Sequence, residues 1–364
     1  MNKLLKSFVF IILTALLIAC NSVMSSSQKS GPDIKNVILM IGDGMGIADV
    51  SAAMAVSETP LNILRCTVTG LQTTSSADNY ITDSGAAGTA LATGHKTNNG
   101  RIGMDPDGNP VKSILEIAVD HGLSAGLVAT SAITNATPAA FIAHQPSRYN
   151  YEGIARDFLR TNIDVFIGGG LDNFVRRKDN INLLDSLRSK GYEIDTTMSM
   201  IMQSQASRLA GFTAPMDNPF RLKGRGDMLP EASAKAIEIL KNNKKGFFLM
   251  IEGSQIDWAG HSNIADTLID ETLDFDRAVG KALDFAEKDG HTLVVVTADH
   301  ETGGVTITNG NPAEHKVTLA FSSKGHTPVL IPVYVFGPGA EKFTGIYDNT
   351  DIFRKIDEAL GLER

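Results

Sequence analysis

The chain predicts an α/β fold: a three-layer sandwich with helices on both faces of a mostly parallel central sheet. Two observations carry that expectation. Short, continuous apolar runs, the pattern of strands buried on both faces, alternate with segments whose apolar residues recur at helical spacing. Several of these runs also end directly in Asp, Glu or His, at the carboxyl ends of strands, where open α/β sheets bind their ligands.

The first run, residues 36–41, ends in Gly42-Asp43-Gly44-Met45-Gly46. A dinucleotide-binding loop would need a third glycine where Ile47 stands. An Asp at a strand end, between glycines that allow close approach, suits a metal ligand better. In residues 82–94, Thr82-Asp83-Ser84-Gly85 leads into small, helix-compatible residues. Ser84 is thereby placed where a loop becomes a helix, with free N–H groups able to receive an anion. Asp-Ser is equally an ordinary N-cap, and taken alone the stretch is no more than that.

From Pro110, the residues Val111, Ile114, Leu115, Ala118 and Val119 follow helical spacing, and Gly122 is the expected cap. Strands are expected at 125–130, 164–167, 247–251, 292–296 and 329–336. A long helix is expected at 263–289, and Thr350 should cap a last one carrying Ile352, Phe353, Ile356 and Leu360. Residues 176–228 break the alternation, with scattered Met, Ser and Gln and a basic Arg221-Leu222-Lys223-Gly224-Arg225. They read as an excursion that caps the sheet of a catalytic domain spanning 33–364.

The 364 residues, 43% hydrophobic and 20% charged, suffice for one large globular domain. A formal charge of −8 argues against a general nucleic-acid binder. Anionic substrates remain compatible with such acidity where bound divalent cations are the largest local charges. With only Cys20 and Cys66 there is no disulfide framework, and Cys66 reads as a small buried apolar residue. Lys3 and Lys6 precede an apolar run at residues 8–19, the layout of a secretory signal too short for a membrane span. Its end, Leu17-Ile18-Ala19-Cys20, resembles the lipobox of bacterial lipoproteins. The expectation is a signal at 1–19, lipid anchoring through Cys20, a Ser-rich tether at 20–32, and a place in the cell envelope, periplasmic or on the outer surface.

Glu252 follows the run at 247–251, and Asp299-His300 follows the run at 292–296. Asp257 and His261 lie four apart, so on a helical turn they share a face and can grip one metal ion. His326 sits in Lys324-Gly325-His326-Thr327.

These stretches, with Ala136-Thr137-Pro138-Ala139-Ala140, Ser147-Arg148 and Gly337-Pro338-Gly339, resemble the alkaline phosphatase family, in that family's order and across nearly all of the mature chain. The resemblance implies two zinc ions, one held by Asp257, His261 and His326 and the other by Asp43, Asp299 and His300. It implies a magnesium ion held by Asp43, Thr137 and Glu252. Ser84 would be the nucleophile and Arg148 the phosphate clamp. The implied activity is hydrolysis of phosphate monoesters through a phosphoserine, with broad substrate range, an alkaline optimum and, as in related enzymes, a homodimer. Asn135 and Trp258 depart from the Asp and Lys of enterobacterial members, which leaves the third ion's identity open.

The rivals are a phosphodiesterase, sulfatase or phosphomutase of the same superfamily, and a lipoprotein that captures phosphate or metal without turnover. A sulfatase would need a Pro and an Arg after the nucleophile, and Ser84 is followed by Gly85-Ala86-Ala87.

Overall fold

The computed structural model describes residues 33–362; the expected signal, Cys20 and the tether lie outside them. A ten-stranded sheet forms the middle layer. Its strands are β1 (Asn36–Gly42), β2 (Val68–Thr73), β3 (Ser124–Ala132), β4 (Val165–Gly169), β5 (Glu193–Asp195), β6 (Leu209–Phe212), β7 (Phe247–Gly253), β8 (Thr292–Thr297), β9 (Ile331–Phe336) and β10 (Gly345–Asp348). Their order is β10-β2-β9-β8-β1-β7-β3-β4-β6-β5. Every pairing is parallel except the two made by β9.

Alternation along β1 explains the two helical layers. Val37, Leu39 and Ile41 face one core, and Ile38 and Met40 face the other. All five are fully buried, which is why the strand reads as a continuous apolar run rather than an alternating one. The helices that bear on the site and its two cores are α1 (Ile47–Val56), α2 (Ser84–Thr93), α3 (Ile114–Asp120), α4 (Ala136–Ala140), α5 (Met228–Leu240), α6 (Gln255–Ser262), α7 (Ala265–Asp289) and α8 (Thr350–Leu360); four further short ones lie between residues 151 and 203. Residues of α2, α3, α4 and α8 pack into the first core, those of α1, α5, α6 and α7 into the second. Among the described residues no helix is long and apolar enough to cross a membrane.

Several boundaries differ from the sequence reading. Glu252 lies inside β7 rather than after it. The expected helix at 263–289 starts at Ala265, because Asn263 takes a left-handed conformation (φ 54°) that ends α6. The stretch 176–228 also contributes to the sheet itself. It supplies β5 and β6, which extend the sheet past β4 and exist only through that pairing. Cys66 is partly buried, and burial pushes its thiol up to about 12.

Candidate active site

Three neighbouring strands, β8, β1 and β7, bring their carboxyl ends together. Ile41 of β1 pairs with Glu252 on one side and with Thr297 on the other. Asp43 and Asp299 lie one and two residues past their strands, so three carboxylates converge on one edge. Backbone bonds fix them there. The Asp43 N–H donates to the Gly253 carbonyl (3.2 Å), and Asp299 Oδ1 accepts from the N–H groups of Gly44 (3.1 Å) and His300 (2.9 Å). All three are buried.

The helix α6 sets Asp257 and His261 on one face, with His261 Nε2 3.3 Å from Asp257 Oδ1. His326, in a two-residue strand paired with Glu301–Thr302, places its Nε2 3.5 Å from Asp257 Oδ1 and 3.2 Å from His261 Nε2. Tetrahedral ligation at about 2.0–2.1 Å puts ligand atoms about 3.3–3.4 Å apart, so this triangle has the size a metal ion requires. Hydrogen bonding agrees. Nδ1 of His326 donates to the Thr82 carbonyl and Nδ1 of His261 to the Lys324 carbonyl. Their Nε2 lone pairs therefore face each other, an arrangement that calls for a cation between them.

Asp43, Asp299 and His300 form a second group, and Asp257, His300 and His326 also lie within ligating distance of one another. His300 Nε2 is 3.2 Å from Asp299 Oδ2 and 3.7 Å from Asp43 Oδ1, and its ring stacks on His326 at 3.5 Å. The two groups are thus contiguous.

Ser84 is the first residue of α2, and its Oγ lies 3.3 Å from His300 Nε2. Asp83 caps the helix, accepting from the Ala86 N–H at 2.9 Å. Its other oxygen accepts from the Gly100 N–H (3.0 Å) and from Arg148 Nη1 (2.9 Å). One carboxylate therefore sets both the start of the helix and the direction of the guanidinium. Thr137 arrives on α4, which packs closely against α2 at Gly88: a Cβ there would stand 3.2 Å from the Ala140 Cβ of α4.

Electrostatics make the demand for positive charge explicit. Burial, reinforced by Asp299, Asp257 and Glu252, holds the Asp43 carboxyl well above its ordinary range, and burial raises Asp299 as well. Burial pushes Glu252 up to about 7 despite the hydrogen bond it accepts from Ser254 Oγ at 2.6 Å. Burial, with the adjacent His326, holds the His300 imidazole well below its usual value. Asp43 Oδ1, Asp299 Oδ2 and Thr137 Oγ1 are buried without a hydrogen-bond partner. Orphaned buried oxygens of this kind are costly unless something binds them. Carboxylate and imidazole donors in the two groups suit zinc, and the all-oxygen set of Asp43, Thr137 and Glu252 suits magnesium. The residues present are thus chemically suited to hold divalent cations.

A family model described as alkaline phosphatase matches residues 34–320. The chain belongs to the alkaline phosphatase family. It is 38% identical to alkaline phosphatase 4 of Bacillus subtilis (strain 168), over 90% of this chain and 89% of that protein. The solved structure of the alkaline phosphatase from the Antarctic bacterium TAB5 is 43% identical, with a TM-score of 0.87, covering 92% of this chain and all of that one. A mutant of the same enzyme, solved with Mg bound, matches at 42% identity and the same TM-score. The chain is accordingly a metal-binding hydrolase of phosphate monoesters, as expected of an alkaline phosphatase.

Further residues shape the site through contacts that only the fold creates. Asp83 was legible as a cap, but its grip on Arg148 is tertiary. Thr302 bonds to Asp257 Oδ1 and lies 3.3 Å from His300 Nδ1, touching a ligand of each group. Asn135 caps α4 by accepting from the Ala136 N–H, and Trp258 is half-buried on α6.

Gly44 shows how tightly the groups are set. It has φ 73°, and a Cβ there would stand 2.8 Å from both the Asp257 Cα and Thr302 Oγ1. The Gly44→Ala variant is expected to lose about 1–3 kcal/mol of stability from the strained backbone and the overlap. It should also lose activity, because relief requires the Asp43 loop and α6 to separate. Thermal unfolding and turnover, measured together, check this.

Proposed function

We propose that the chain hydrolyses phosphate monoesters in two steps through a phosphoserine at Ser84. Asp257, His261 and His326 would hold one zinc ion, Asp43, Asp299 and His300 a second, and Asp43, Thr137 and Glu252 a magnesium ion. When bound, these ions supply Lewis acidity, lowering the pKa of a hydroxyl or water and offsetting the charge of the phosphoryl group.

Ser84 Oγ attacks phosphorus in line with the leaving oxygen: the Oγ–P bond forms, the ester P–O bond breaks and the alcohol departs. Arg148, aimed by Asp83, presents its remaining N–H groups to two phosphoryl oxygens. With the Ala86 and Ala87 N–H groups already bonded to Asp83, those of Ser84 and Gly85 are left to meet the anion at the helix start. Water then cleaves the phosphoserine, releasing inorganic phosphate and restoring Ser84. These contacts all address the phosphoryl group, so a broad range of leaving alcohols follows. Ionisation of the attacking hydroxyl and water favours an alkaline optimum.

The observation that carries this reading is the position of Ser84 Oγ, at a helix start and 3.3 Å from His300 Nε2, beside orphaned carboxylate oxygens. Turnover of a monoester, a diester and a sulfate ester under the same conditions tests it. The monoester should be preferred by several orders of magnitude; faster diester cleavage would assign the site to a phosphodiesterase.

The same reading includes export and attachment to the cell envelope through a lipidated Cys20. It also includes a homodimer, supported by exposed Ile47, Val329 and Leu330 around a cavity of about 330 Å³ next to Glu301 and Thr327.

A further inference from the structure

The basic stretch around Arg225 stands apart from the phosphate site, yet Arg225 is buried, its side chain 1% exposed. Its Nη2 bonds to Glu271 Oε2 and to Asp274 Oδ2 (2.7 Å), both on α7 and both buried. Its Nη1 donates to Glu271 Oε1 (3.2 Å), to the Pro219 carbonyl (3.2 Å) and to the side-chain oxygen of Gln255. Gln255 is the first residue of α6, two before Asp257. Its amide nitrogen donates to the Asn218 carbonyl, and Asn218 Nδ2 donates to the Thr130 carbonyl at 2.9 Å. A continuous polar chain thus ties the start of α6 to β3 on one side and to α7 on the other.

We infer that Arg225 and Gln255 are positioning residues for the metal site of Asp257 and His261, a role that rests on the metal reading above. The geometry gives the reason. Helix α6 has only eight residues, too few to hold their own conformation without tertiary support. It nevertheless fixes two ligand atoms 3.3 Å apart, a spacing that a small rotation would spoil. Asp43 and Asp299 need no such anchor, because they extend from β1 and β8, two strands paired on both sides in the middle of the sheet. The clamp therefore serves one metal group selectively. Arginine suits the task because its planar fork can reach Gln255, Glu271 and Asp274 at once.

Removing Arg225 outright would strand two buried carboxylates and threaten folding. The informative variants are therefore Gln255→Met, which cuts the link to α6 but leaves Arg225 with Glu271 and Asp274, and Arg225→Lys, which keeps the charge but not the fork. Each is purified as the full zinc-loaded chain, confirmed folded by thermal unfolding, and equilibrated against a graded chelator series. Zinc retained is then measured by elemental analysis. The expected result is that one zinc ion per chain leaves at about tenfold lower chelator concentration than in the wild type, while the other leaves at the wild-type level. If both variants release both ions as the wild type does, with only the unfolding midpoint lowered, the clamp is structural and the inference is overturned. A wild-type chain that retains no zinc overturns the metal reading together with the clamp built on it.

Discussion

Ser84→Ala is expected to lower monoester turnover by at least about 10³-fold, because it removes the nucleophile that divides the reaction into two steps. The fold should be unaffected. Alanine is a strong helix former at the first position of α2, and the cap belongs to Asp83, whose bonds to Ala86, Gly100 and Arg148 do not involve the Ser84 side chain. The ions and Arg148 stay in place, so the variant should still bind inorganic phosphate. The decisive measurement is rapid acid quenching after mixing with a labelled monoester. The wild type should carry label on the protein and show a burst of alcohol release, and the variant should show neither. A variant with the wild-type rate would remove Ser84 from its assigned role and shift attack to a water molecule.

How far the site was legible depends on how local each signal is. β1, β7 and β8 announce themselves because strands buried on both faces must be apolar throughout, and Asp43 and Asp299 then follow by position. Asp257 and His261 are readable from their spacing, since one helical turn joins them. The sheet edges are not. β2 reads Val-Thr-Gly-Leu-Gln-Thr, a mixed pattern, and β5 has three residues; both are strands because a neighbour pairs with them. His326 has no periodic context and lies in a two-residue strand, so in the sequence it stood out only as a further ligand-type residue, and its grouping with Asp257 and His261 came from the family resemblance. The carbonyls of Thr82 and Lys324 that fix the histidine tautomers are backbone groups, which no residue type can advertise. Gly44 was readable as a glycine permitting close approach, whereas what approaches it, the Asp257 backbone, is separated by more than two hundred residues. Arg225 gives the sharpest contrast. In sequence it belongs to a basic run within 176–228, and in the fold it is buried against Glu271 and Asp274 with α6 in its grip.

Stripping the metal ions should have the second large effect, on activity and stability together. Chelation is expected to reduce turnover to below about 1% of the loaded enzyme, because neither the nucleophile nor the water is ionised to a useful extent near neutral pH without Lewis acids. Zinc should restore most of the activity, and magnesium added with it the remainder. Stability should fall too, since an ion present at about a hundred times its dissociation constant contributes about 2.7 kcal/mol per site. The pH dependence carries a definite sign. In the metal-free chain, burial raises the carboxyls of Asp43, Asp299 and Glu252 above their unfolded values, Glu252 to about 7. A raised pKa gives stability that is fully present below the unfolded value and is lost as pH rises through the folded one. The metal-free protein should therefore lose stability between about pH 4 and 7, where the loaded protein, whose carboxylates are neutralised by cations, changes much less. Unfolding midpoints of both forms across that range, with metal content measured on the same samples, should diverge as pH rises. A metal-free chain that kept full activity, or midpoints that ran parallel, would mean that the orphaned oxygens of Asp43, Asp299 and Thr137 serve something other than a cation.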